Sequence, residues 1–412
     1  MSLIVQKYGG TSVGSTERIK NVARRVIATQ AEGHSVIAVV SAMAGVTDNL
    51  LKLASEVSSN PTKREMDVLL ATGEQTTIAL LAMAIDELGG NAVSLTGAQA
   101  GIATDGDHTK ARIKNISPKE VHRLLDDGNI VIIAGFQGQA PDGRISTLGR
   151  GGSDLSAIAM ASAVGADRCQ ILTDVDGVYT CDPRVVPNAR KIDEISYDEM
   201  LEMASSGSKV MQSRSVEFAK KFGVLFEVCS SLNTNPGTVV MEEKPHMEAV
   251  VIRGVSLERN QAKVRVGNVP DQPGFASRIF RAIADAGIII DMIVQNTSED
   301  GVTDISFTLN SNELAQAKEV LEQAVGDFAE GTRVTLEEGV AKVSAVGIGM
   351  RSHSGVAADM FTSLADSNIN IKMISTSEIK TAVIVDEADV EQAARVVHDG
   401  FGLGDKPILA ES

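Results

Sequence analysis

Tryptophan is absent from this 412-residue chain, and aromatic residues make up only 3% of it. Base-stacking platforms for single-stranded nucleic acid need such rings. Positive charge is also short: 38 Lys and Arg stand against 54 Asp and Glu, a formal net charge of −16, and no basic stripe offsets it. A protein that neutralises phosphate backbones needs the opposite balance. Cysteine occurs three times, at Cys169, Cys181 and Cys229, with no CxxC pair. An odd, widely spaced set suits reduced thiols rather than a disulfide framework or a zinc site. The six histidines are scattered, no group has metal-ligand spacing, and no Ser-His-Asp order appears. No run of about 18 uncharged apolar residues occurs, so no membrane-crossing helix is expected. No basic, then apolar, then small-residue leader opens the chain, which makes the cytoplasm the expected compartment.

What is present is alternation. "SVIAVVSA" (35–42), "NAVSLTG" (91–97), "NIVIIAGF" (129–136) and "CQILTDV" (169–175) are short and β-branched, with uncharged centres. Amphipathic stretches such as "STERIKNVARRVIATQ" and "SPKEVHRLLDDG" separate them, the second opening on a Ser-Pro-x-Glu cap. Continuous apolar strands between amphipathic helices imply an α/β domain with a buried, parallel-rich sheet over residues 1–240. A polar, proline-containing stretch, "PGTVVMEEKPHM" (236–247), marks a change of character, and 241–262 reads as a linker. Beyond it lies an internal repeat. "GFASRIFRAIADAGIIIDMIV" (274–294) aligns without gaps on "GVAADMFTSLADSNINIKMIS" (355–375), 81 residues later. Each copy reads as strand, glycine-opened helix and strand, then a further strand and helix. Two small βαββαβ modules follow, at 263–340 and 341–412, with the last segment left free to complete the first.

Five stretches carry possible chemistry. In "VQKYGGTSVG" (5–14), Lys7 precedes Gly9 and Gly10, which suits either a phosphate cradle or an ordinary tight turn. It is not a Walker loop, since the lysine comes before the glycines. "VSAMAGVTDN" (40–49) leaves a strand end with hydroxyls at Ser41 and Thr47, either at a ligand rim or as helix caps. In "ATGEQTTIALL" (71–81), Glu74 reads as lying in a helix's first turn, either compensating the dipole or meeting an ammonium. "STLGRGGSDLSAIAMASAVGA" (146–166) places Arg150 before Gly151 and Gly152, with Ser153 and Asp154 opening a helix. Free amides there favour an anion, and Arg150 can fork a carboxylate; capping does not explain all of these together. "TDVDGVYTCDPRVVPNAR" (173–190) is a long, mixed-charge strand exit, either a nucleotide platform or a solvated excursion.

Taken in order, "VQKYGGTSV", "SAMAGVTDN", "TGEQTT", "LGRGGSDLSA", "TDVDGVYTCDPR" and the paired modules resemble the aspartate kinases over essentially the whole chain. The modules look like the ACT domains of that family. The length is similar to the monofunctional type regulated by lysine and threonine. The one departure is Cys181, where a small residue is usual. The resemblance implies an amino-acid-kinase-like three-layer α/β domain with a mostly parallel central sheet, plus two C-terminal ACT domains. It implies transfer of the γ-phosphoryl group of ATP, with Mg²⁺, to the β-carboxylate of L-aspartate, the first step of lysine, threonine and methionine biosynthesis.

By the same resemblance, Lys7 meets the transferring group, with Gly9, Gly10 and Thr11 as phosphate contacts. Asp154 orients Lys7 or a metal-bound water. Thr173, Asp174, Tyr179, Asp182, Arg184 and Lys209 hold the nucleotide. Arg150 takes the substrate α-carboxylate and Glu74 its α-ammonium, with Ser41, Thr47, Gly151, Gly152 and Ser153 lining the pocket. Threonine is expected at Asp271, Gly274, Ala276, Gln295, Asn368, Asn370 and Ile371, and lysine at Asp291, Ser377 and Glu378, between ACT modules of two chains. Homo-oligomers through the ACT domains are implied, with Met247 as the start for a short ACT-only subunit. The competing readings are a glutamate or acetylglutamate kinase of the same fold and a catalytically silent amino-acid sensor. A nicotinamide dehydrogenase is disfavoured, since no GxGxxG opens a βαβ unit.

Overall fold

The computed structural model of the protein describes residues 2–208, 210–297, 301–326, 328 and 331–404. It divides into two compact units, Met1–Val178 with Lys191–Ala204 and Lys209–Lys244, and Tyr179–Arg190 with Ser205–Ser208 and Pro245–Ser412.

The first unit starts with β1 (Leu3–Tyr8), α1 (Thr16–Ala31), β2 (Ser35–Val40), α2 (Val46–Val57) and the long α3 (Lys63–Glu87). β3 (Ala92–Leu95), β4 (Ile102–Thr104), β5 (Ile113–Ile116), α4 (Lys119–Asp126), β6 (Ile130–Ala134), β7 (Gln137–Gln139) and β8 (Ile145–Thr147) come next. Then follow α5 (Gly152–Val164), β9 (Arg168–Thr173), β10 (Glu194–Ser196), α6 (Tyr197–Ser205), α7 (Ser213–Phe222), β11 (Phe226–Ser230) and β12 (Thr238–Met241). Eight strands form the main sheet in the order β10-β12-β11-β9-β1-β2-β6-β3. All pairings but β11–β12 are parallel. Alternate side chains of β2 and β6 (Val36, Ala38, Val40, Ile130, Ile132) pack on α1 and α3 through Ile19, Val22, Ile78 and Leu81. α5 packs against β1 and β9 from the opposite face, and α7 packs on α5. Helices on both faces leave the strands no solvated side, which is why these runs are continuously apolar.

Three local expectations change. Ser117 does not cap α4; Pro118 holds the N-cap position, with no side-chain cap hydrogen bond, and the Ser117 N–H donates to Gly101 O. Glu74 is not in a first turn. α3 begins at Lys63, so Glu74 lies mid-helix, beyond reach of the terminal dipole. A small sheet, β5-β4-β7-β8, was not anticipated; its strands of three or four residues are too short to show a period. α3 is also long and apolar enough, by length and composition, to cross a bilayer. It instead packs against α1, α2, β3 and β8, with Asp67 and Glu74 on its buried face.

The second unit contains β13 (Gly254–Pro270), α8 (Phe275–Asp285), β14 (Ile290–Thr297), β15 (Val302–Asn310), α9 (Leu314–Val325) and β16 (Arg333–Val346). α10 (Val356–Asp366), β17 (Met373–Thr376), β18 (Lys380–Asp386) and α11 (Val390–Gly400) complete its described elements. The strands form one antiparallel sheet, β14-β15-β13-β16-β18-β17. The repeat is visible in its packing: Ile279 and Ile283 of α8 and Met360 and Leu364 of α10 are buried at matching positions. Gly274 and Gly355, at φ 104° and 97°, open the two helices.

The closure of each module comes from elsewhere in the chain. The second half of β13 pairs with β15 and with the first half of β16, completing the first module. The first half of β13, Gly254–Glu258, pairs with Val346–Lys342 of β16 and so supplies the fourth strand of the second module. The break falls beside Asn260, held at φ 58°. Residues 254–262, read from sequence as linker, are therefore strand. The strand preceding the first module completes the second, and β16 completes the first.

Candidate active site

Lys7 is the penultimate residue of β1, in register with Val39 on one side and Ile171 on the other. A central strand can bury a lysine there only if its ammonium is matched. Its Nζ lies 2.5 Å from Oδ1 of Asp154, in the first turn of α5, and both side chains are nearly buried. The following turn is closed by hydrogen bonds from Gly9 N–H to Leu172 O and from Ser12 N–H to Gly9 O.

Neighbouring loops converge on this turn. Ala44 N–H donates to Gly10 O and Ser41 N–H to Tyr8 O. A Cβ on Gly10 would stand 2.9 Å from Ala42 O, and one on Gly73 would stand 2.8 Å from Ala42 Cβ. These glycines allow β1's exit, β2's exit and α3 to approach closely. Ser41 and Thr47 do not cap α2, which starts behind Gly45 with no side-chain cap. Nor do Ser153 or Asp154 cap α5, where Gly151 at φ 68° takes the N-cap position. β6 exits on the same side: a Cβ on Gly135 would lie 2.8 Å from Ser153 Cβ, and Phe136, at φ 68°, is held by a hydrogen bond from its N–H to Ser156 Oγ.

Glu74 reaches this cluster from α3. Its Oε1 accepts the Ala42 N–H at 3.0 Å, while Oε2 is buried with no partner among the described residues. Burial pushes its carboxyl up to about 7, against the lowering pull of the Ala42 amide. An unmatched buried carboxylate oxygen calls for a cation or a donor. Arg150 lies between Gly149 at φ 80° and Gly151, exposed and without an ion pair among the described residues. Arg214 fixes the base of this loop, donating to Leu148 O and Ala111 O. The first unit thus offers a buried cation–carboxylate pair, an unmatched carboxylate and a free guanidinium on adjoining loops.

Residues 2–228 match the amino acid kinase family, and 264–326 and 343–401 each match the ACT domain. The aspartokinase of Corynebacterium efficiens is 50% identical over 412 residues, covering 98% of this chain and 97% of that protein. The chain belongs to the aspartokinase family. Among solved structures, E. coli aspartokinase III in complex with aspartate and ADP (R-state) is similar at TM-score 0.81 and 26% identity, covering 97% of this chain and 99% of that one. The same enzyme in complex with lysine and aspartate (T-state) is similar at TM-score 0.75 and 26% identity, with the same coverage.

The remaining candidate residues are placed as follows in the two units. Thr11 is exposed in the β1 turn and its carbonyl accepts from the Arg18 guanidinium. Thr173 ends β9 and its hydroxyl donates to Asp174. Tyr179, Asp182 and Arg184 belong to the second unit, where Asp182 and Arg184 form a forked ion pair at 2.7 Å. Lys209 lies outside the described residues. Of the effector positions, Asp271 and Gly274 precede α8, Ala276 is in its first turn, and Asn368, Asn370 and Ile371 follow α10. Among the described residues, no hydrogen bond joins those two loops. Asp291 is 2.5 Å from the fully buried Lys342, which also meets Glu258 at 2.8 Å. Gln295 is exposed on β14; Ser377 and Glu378 are exposed beyond β17, with Glu378 3.7 Å from Arg351.

One buried acid was missed. Asp67 lies seven residues before Glu74 on the same face of α3 and accepts hydrogen bonds from Thr147 and Thr109. The signal was available, since two acids seven apart on a largely apolar helix share a face.

Proposed function

We propose that Lys7, Asp154, Glu74 and Arg150 divide the work of the family's reaction, transfer of the ATP γ-phosphoryl group to the β-carboxylate of L-aspartate. The observation that carries this is the Lys7–Asp154 pair at 2.5 Å beside the unmatched Glu74 Oε2. Phosphoryl transfer needs positioning and neutralisation of charge spread over the equatorial oxygens. Lys7 supplies the cation, and Asp154 holds it aimed. The turn at Gly9, Gly10 and Thr11 lets backbone amides approach the phosphates, with Thr173 and Asp174 of the same unit as nucleotide contacts. Aspartate needs a counter-charge at each end. Glu74 takes the ammonium, Arg150 forks the α-carboxylate, and Ser41, Thr47, Gly151, Gly152 and Ser153 line the space between. Mg²⁺ fits this site as an ion held mainly by phosphate oxygens and water; it would neutralise phosphate charge. Glutamate or acetylglutamate as acceptor is tested by the same assay, ADP release with hydroxylamine trapping of the acyl phosphate across the three substrates.

The Glu74 assignment sets a pH dependence. The ionised form binds an ammonium, and the free enzyme's carboxyl titrates near 7. The kcat/KM for aspartate should therefore fall about tenfold per pH unit below roughly 7. Glu74→Gln should lie lower throughout and lose this limb; an unchanged limb in the variant would assign it to another group.

For regulation, we propose that the ACT pair binds threonine through Asp271, Gly274, Ala276, Gln295, Asn368, Asn370 and Ile371, and lysine through Asp291, Ser377 and Glu378. These positions would lie between ACT modules of two chains in a homo-oligomer. A shared interface lets two effectors bias one equilibrium. Lysine plus threonine should inhibit more strongly than either alone at the same total concentration; equal inhibition would contradict concerted action.

A further inference from the structure

We infer that Asp67 is a positioning residue that holds α3, and with it Glu74, at a fixed spacing from the loop that carries Arg150. This deepens the substrate assignment above and rests on it. Asp67 is fully buried, yet it makes no pair with a lysine or arginine among the described residues. Both its oxygens are committed instead to the end of β8 and to the 108–109 turn. Oδ1 accepts from Thr147 Oγ1 at 2.5 Å and from the Thr109 N–H at 3.0 Å; Oδ2 lies 2.6 Å from His108 Nδ1. Thr147 ends β8, three residues before Arg150. Seven residues along α3, on the same buried face, stands Glu74. One carboxylate therefore ties the helix holding the ammonium counter-charge to the strand that launches the guanidinium.

Two further observations make this more than a generic core contact. Thr109 is held at φ 70°, a conformation a β-branched residue adopts only when its surroundings impose it, and its amide points at Asp67. Gly149 meets that same residue: a Cβ there would stand 3.2 Å from Thr109 O. The Arg150 loop is thus braced on the 108–109 turn, which Asp67 holds. A second tie runs parallel, from Gln137 Nε2 to Ala71 O of α3 at 3.0 Å. The spacing matters because a zwitterion gripped at both ends must meet both groups at once, and displacement of about 1 Å can cost roughly 100-fold.

The test is steady-state kinetics on Thr147→Val, Thr147→Ser and Asp67→Asn, with Arg150→Ala alongside. Thr147→Val removes only the donor. It should raise the KM for aspartate about tenfold or more and leave the KM for ATP within about twofold. Asp67→Asn should do the same, and Thr147→Ser, which keeps the hydroxyl, should restore most of the parental value. A contribution to stability alone would lower Tm without this split. If folded Thr147→Val and Asp67→Asn both keep the aspartate KM within about twofold of parental, the positioning claim is overturned. If Arg150→Ala also leaves it unmoved, the substrate assignment beneath it fails as well.

Discussion

Lys7→Ala should lower kcat by about 100- to 1,000-fold at saturating ATP and aspartate, the range seen when one preorganised charge-stabilising group is deleted. The loss should fall on kcat, because the ammonium acts on charge spread across the transferring group. Some stability goes with it. Asp154 would lose its partner in a nearly buried position, a change that costs several kcal/mol where nothing else compensates. Here the first turn of α5 partly offsets the stranded charge, so about 1–3 kcal/mol is expected. Urea unfolding of the variant measures that, and activity is then read per folded molecule. A folded Lys7→Ala enzyme with near-parental kcat would remove the lysine from the chemistry.

Arg150→Ala should behave differently. The guanidinium is exposed between two left-handed glycines, so its loss should change stability by less than about 0.5 kcal/mol. Charge-assisted bonds to a substrate carboxylate are worth about 1.5–3 kcal/mol each. A roughly 100-fold rise in the aspartate KM follows, with kcat recovered at high aspartate, since this binding is made equally in ground and transition states. Arg150→Lys should recover only part of it, because an ammonium cannot form the fork.

Much of this arrangement could be read from the chain. The continuous apolar strands announced a sheet covered on both faces, and glycines at strand ends marked the loops that converge. Lys7 and Asp154, read from separate motifs, form an ion pair because β1 and α5 pack directly. What stayed hidden was set by tertiary context. Thr72-Gly73 looked like a helix start, yet Gly73 is there so that Ala42 can come close, and the helix runs on through it. The first half of β13 looked like a linker because its partner residues in β16 lie 84 to 92 positions away in sequence. Asp67 is set apart only by the fold, which brings Thr147 and Thr109, 80 and 42 residues away in sequence, onto its carboxylate. Tyr179, Asp182 and Arg184 sit in a stretch contiguous with β9 in sequence, yet they belong by packing to the second unit. Cys181, the one departure from the family pattern, is buried in that unit's core beside Val185 and Val186.

The most direct test of the division of labour is hydroxamate formation with ATP and increasing L-aspartate, run on the parent enzyme, Arg150→Ala and Lys7→Ala. The parent should saturate, Arg150→Ala should climb toward the parental plateau only at much higher aspartate, and Lys7→Ala should stay near background at every concentration. A Lys7→Ala curve that reaches the parental plateau, or an Arg150→Ala curve that saturates where the parent does, would contradict the account.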